Sequence, residues 1–76
     1  MYNFSMISYK KVRDLIEDSD IQHKDIQIEA GLSRDTLAKL EKDEYISMDS
    51  LERLARYLSE RTNKRLQPSD LFEFKY

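Results

Sequence analysis

The sequence contains one glycine, Gly31, and one proline, Pro68, and this scarcity constrains its fold more than any other feature. A loop that cradles phosphate needs several residues free of Cβ, so no such loop fits here. Around these two punctuation points an apolar period of 3.6 residues is legible. Ser8 is placed to cap a first helix over residues 9–19, with Val12, Leu15 and Ile16 as its stripe. A second helix over 23–30 has Ile26 and Ala30 one turn apart, and Gly31 supplies its left-handed stop. Ser33 is positioned to cap a third helix over 34–43. Ser47 is positioned to cap a fourth over 48–62, where Leu51, Leu54, Ala55 and Leu58 share one face. Pro68 suits the first turn of a short fifth helix with Ser69, Asp70 and Leu71. The expected fold is all-α: five small helices in one domain spanning residues 1–76.

The ends follow another rhythm. Tyr2, Phe4 and Met6 alternate with polar residues, as do Phe72, Phe74 and Tyr76. A period of two on aromatic residues fits a half-buried strand, and a frayed tail is the competing reading. As strands, the two ends would pair with each other or with a second copy of the chain.

Several function classes fall away on composition. The chain has no Cys and one His, His23, so neither a thiolate metal site nor a histidine-based triad or metal cage is expected. Glu41, Glu44, Asp49 and Glu52 read as ordinary helical carboxylates, and an enzyme is not expected. No cofactor or small-molecule ligand is implied. The opening residues lack a continuous apolar stretch and no segment is apolar enough to span a bilayer, so a cytoplasmic chain is expected. Net charge is −2, which does not advertise nucleic acid, but the charge is unevenly spread. Residues 14–30 carry −5 and residues 53–65 carry +4.

Residues 22–42, QHKDIQIEAGLSRDTLAKLEK, carry the functional signal. Two short helices joined by a tight turn containing Gly describe a helix-turn-helix. At about 100° per residue, Leu37 and Leu40 mark the buried direction of the second of these helices. Its opposite face holds Arg34, Asp35, Ala38, Lys39 and Lys42, with Thr36 and Glu41 on the flanks. Three cations against one acid around a small alanine suit a helix that enters the major groove.

With these residues in view, the chain resembles the lambda Cro and phage-repressor (XRE-like) type of helix-turn-helix regulator. It is most similar to a compact bacterial subgroup that opens with ISYKK-x-x-x-L and closes with P-x-D-L. The segments ISYKKVRDLI (7–16), IEAGLSRDTLAKLEKDE (28–44), ISMDSLERLARYL (46–58) and QPSDLFEF (67–74) fit that pattern. The resemblance implies a transcriptional regulator, a repressor in the first instance, whose third helix reads double-stranded DNA, usually as a homodimer. By position it implies base reading by Arg34, Asp35 and Lys39. Backbone contacts would come from His23, Ser33, Thr36 and Lys42, and Phe72, Phe74 and Tyr76 are the candidate dimer surface.

Plainer readings stand beside these. Asp35 also suits a helix N-terminus through the macrodipole, Ser33 is first a cap, and the lysines are also ordinary surface residues. Lys10, Lys11 and Arg13 read as surface charges, and Tyr45 and Tyr57 as aromatics at the rim of the core. Three positions depart from the family pattern: Gln27 where a small residue is usual, Asp43-Glu44 where a glycine commonly follows the third helix, and a long 59–66 link. The acidic balance with Asp35, Asp43 and Glu44 keeps an alternative open, a protein-interaction module on the same fold.

Overall fold

The computed structural model describes residues 6–75. In chain order these form β1 (Ile7–Ser8), α1 (Lys10–Asp18), α2 (His23–Glu29), α3 (Arg34–Glu41), α4 (Met48–Thr62), one 3-10 turn (Pro68–Asp70) and β2 (Glu73–Phe74). The four expected α-helices are present, and the fifth is a single tight turn. Gln67 enters that turn with its amide donating to the Asp70 carboxylate at 2.8 Å. The first helix starts one residue later than expected. Tyr9 is its N-cap without a capping side chain, and Ser8 Oγ accepts only the Lys10 amide.

Acidic and amide residues take over glycine's work at the helix stops. Asp20, Asp43 and Asn63 all have positive φ, the left-handed conformation that Asp and Asn tolerate best among residues with a Cβ. After α1, the Ile21 amide reaches the Ile16 carbonyl and the Asp20 amide reaches Glu17, which is a Schellman closure. Both isoleucines are buried, so the closure is also an apolar contact. After α3, the Glu44 amide closes on Lys39 in the same way, with Asp43 as the left-handed residue.

Short strands form near both ends and pair with each other, but of the described alternating residues only Phe74 lies in one, and Met6 and Phe72 lie just outside. β1 and β2 are antiparallel, with Ile7 opposite Phe74 and Ser8 opposite Glu73. The expectations for Tyr2, Phe4 and Tyr76 lie outside the described residues. Phe72 packs on the core, and its ring meets that of Phe74 edge-on at 5.6 Å.

One apolar cluster joins the elements. Tyr9 at the head of α1, Val12 and Ile16 within it, Ile26 from α2, Leu37 and Leu40 from α3, and Leu51, Leu54, Ala55, Tyr57 and Leu58 from α4 are buried in it, with Leu71 closing one end. Among the described residues no charged or polar residue is buried in this core. The 59–66 stretch is not all link: residues 59–62 complete α4, and a hydroxyl in that last turn ties the chain that follows. Ser59 Oγ donates to the Ala55 carbonyl at 2.7 Å and accepts the Leu66 amide at 3.0 Å.

Candidate nucleic-acid interface

The α2–α3 unit is built from local signals. Ile26 is fully buried and seats α2 on the core. Ala30 ends that helix and Gly31 follows at φ +73, a value that L side chains rarely adopt. A Cβ there would also lie 3.2 Å from Arg53 Nη1, which donates to the Gly31 carbonyl at 3.3 Å. Buried Leu32 pins the turn, and Ser33 then starts α3 by accepting the Thr36 amide on its hydroxyl at 3.1 Å. The Thr36 hydroxyl lies 3.0 Å from the same oxygen.

The faces of α3 divide as the arithmetic requires. Leu37 and Leu40 are buried, Ala38 is half-buried, and Arg34, Asp35, Lys39 and Lys42 are exposed. Among the described residues the side chains of those four make no ion pair or hydrogen bond within the chain. Elsewhere Lys10 pairs with Asp14, Arg53 with Asp49, Arg61 with Glu29, and Arg13 and Lys75 with Asp43, while Lys11, Lys24, Arg56, Lys64 and Arg65 are unpaired among the described residues. What sets the solvent face of α3 apart is that three unpaired cations share one exposed face among the described residues. His23, at the start of α2, stands 3.7 Å from Glu41 at the last turn of α3, with both side chains about half exposed.

Arg13 and Asp43 differ from their sequence reading. Arg13 is no plain surface charge: its Nη1 donates to Asp43 Oδ1 at 2.6 Å and to the Leu40 carbonyl at 3.0 Å. Asp43 Oδ1 also accepts the Tyr9 amide at 2.9 Å, and Lys75 Nζ lies 3.9 Å from Oδ2. Partial burial pushes the Asp43 carboxyl upward, but the Arg13 hydrogen bond, the Tyr9 amide and the charges of Arg13 and Lys75 outweigh it. The group is held below the ordinary carboxylate range. The acid that follows α3 is thus engaged with α1. Nothing in the sequence marked this pairing, because its partners lie 30 and 34 positions away.

Tyr57 is buried, but Tyr45 is 55% exposed in the segment after α3 and does not line the core rim. Gln27 is half-buried on α2 without a side-chain hydrogen bond. Phe74 is 49% exposed on β2, away from the α2–α3 turn in sequence but joined to the end of α3 through Lys75. Among the described residues no three metal-ligating side chains gather, and no helix is long and apolar enough to cross a membrane.

Two short helices at a Gly turn, with the second capped, seated by two leucines and cationic outside, define a helix-turn-helix. A family model for the Cro/C1-type HTH DNA-binding domain matches residues 11–75, and the chain belongs to that family. Comparison with curated proteins gave no match, and comparison with solved structures gave none.

Proposed function

We propose that residues 1–76 act as one sequence-specific DNA-binding domain, a cytoplasmic transcriptional repressor without enzymatic activity that reads the major groove with α3. The observation that carries this reading is the uncommitted cationic face of α3, where Arg34, Lys39 and Lys42 lack partners among the described residues. Arg34, Asp35 and Lys39 are the base readers, with Arg34 suited to guanine O6 and N7. Lys42 and the hydroxyls of Ser33 and Thr36 serve the backbone, where the first amides of α3 also favour phosphate. His23 approaches the backbone from α2. A single helix reads too few base pairs to select a site in a genome, so the chain acts as a homodimer on a two-fold operator. Phe74, Phe72 and Tyr76 are its candidate contact. Repression then follows from occupancy of promoter DNA.

The competing interaction-module reading leaned on the acidic balance, on Asp35 and on the Asp43-Glu44 pair. Asp43 is paired with Arg13 and the Tyr9 amide, so its charge is no longer an argument against DNA.

Selection of bound sequences from random duplexes, followed by a salt series on the enriched duplex, tests the proposal. Affinity should fall linearly in log salt, with a slope near −0.9 per phosphate contacted. Arg34→Ala should cost about 1–3 kcal/mol on the enriched duplex and little on a scrambled one. Equal losses on both would reduce Arg34 to a phosphate contact, and no binding at about 50 mM salt would reject the function.

A further inference from the structure

Asp43 stands where a helix stop ordinarily favours glycine, at φ +58. The aspartate brings a side chain to that strained position, and the side chain is used. Arg13, one turn into α1, and the Tyr9 amide, which begins α1, both bond Oδ1. Lys75, just beyond β2, approaches Oδ2. Arg13 also takes the Leu40 carbonyl in the last turn of α3. With side chains 23% and 27% exposed, the Asp43–Arg13 pair is sheltered from full solvent screening.

This convergence matters because α3 has few other anchors. Its buried side chains are Leu37 and Leu40, one turn apart. Two anchors so close fix where the helix sits but leave it able to rock about the line between them. Reading a base edge tolerates only small displacements, whereas attraction to phosphate tolerates large ones.

We propose that Asp43 is a positioning residue for DNA reading: by tying the C-terminal end of α3 to α1 and the terminal strand pair, it fixes the angle at which Arg34, Lys39 and Lys42 meet the duplex. It governs discrimination between sequences, not general attraction to DNA. The inference rests on the function proposed above.

The test compares the unaltered chain with Asp43→Gly and Asp43→Asn. Glycine removes the carboxylate's ties, leaving only the Arg13 bond to the Leu40 carbonyl, while giving the left-handed position its preferred residue. Asparagine keeps an acceptor oxygen and tolerance of that conformation but loses the charge. Each protein is titrated with the duplex enriched by the unaltered chain and with a scrambled duplex, across a salt series. Amide hydrogen exchange of Arg34–Glu41 is followed without DNA. The ratio of the two affinities should fall about tenfold in Asp43→Gly, less in Asp43→Asn, with the salt slope unchanged. Exchange along α3 should be faster in Asp43→Gly.

If Asp43 merely repels DNA, both variants will bind both duplexes more tightly by one factor, and the inference is overturned. Unchanged exchange along α3 overturns it as well. Should the unaltered chain enrich no duplex, the proposed function fails first and this inference falls with it. A sequence preference that Asp43→Gly retains overturns the inference alone.

Discussion

At its N-terminal end α3 is held by a residue of its own turn: Ser33 accepts the amide three positions on, and the Arg34 and Asp35 side chains beyond it make no hydrogen bond or ion pair among the described residues. At its C-terminal end it is held by α1, through Arg13 and the Tyr9 amide, onto an aspartate in a left-handed conformation. A local cap satisfies the backbone without using the outward side chains, so the first end stays open to a partner. A long-range clamp uses up its side chains and sets orientation. One helix thus has a free end for recognition and a fixed end for aim.

The largest effect that bears on this contrast is the loss of the anchor between the two ends. Leu40→Ala removes a buried side chain one turn before the clamp and should cost about 2–5 kcal/mol, read from the urea midpoint. A cost below about 1 kcal/mol would mean that α3 is not seated through this leucine.

Next comes the fixed end under acid. The Asp43 carboxyl is depressed in the folded chain, so its stabilisation is present above the unfolded carboxylate value and lost as pH falls through the depressed one. Urea midpoints taken from neutral pH down to about pH 2 should decline more in the unaltered chain than in Asp43→Asn. The difference should be about 1 kcal/mol, the size of a charged hydrogen bond discounted for partial exposure. Parallel declines would show that the clamp carries no stability.

At the free end, Ser33→Ala should cost about 1 kcal/mol and Ser33→Gly only a few tenths, the signature of a cap. Equal costs would point to some other role for the hydroxyl.

The smallest effect concerns Tyr9, whose amide serves the clamp while its own hydroxyl is buried without a hydrogen-bond partner among the described residues. Burial raises the phenol above its ordinary value, opposed by the Ile46 backbone and reinforced by nearby Asp43 and Tyr45. Tyr9→Phe should leave thermal stability unchanged or raise it by up to about 1 kcal/mol. A clear loss would reveal a partner for that oxygen.

The contrast between the two ends also explains what the sequence disclosed. Ser33, Ser47 and Gly31 act on neighbours within a turn, so their roles can be read from order alone: α3 and α4 start, and α2 stops, where those signals place them. The outward residues of α3 followed from its period, because Leu37 and Leu40 fix the rotation. The terminal alternation left both strand against frayed tail and the pairing partner open, since pairing depends on where the helices bring the two ends. Asp20, Asp43 and Asn63 as helix stops were harder to see than Gly31, because residues of these types are equally at home in caps, in turns and on exposed helix faces. Arg13 gave no local hint at all. Its spacing from Asp43 has meaning only after α1 and α3 have packed on the shared core.

The central claim is that the solvent face of α3 is the surface that meets DNA. An NMR titration of the labelled chain with the enriched duplex tests it most directly. The account predicts that the largest amide shifts fall on Arg34, Asp35, Lys39 and Lys42, with smaller ones at His23. Shifts confined to β2 or to the end of α4, with α3 silent at saturating duplex, would contradict it.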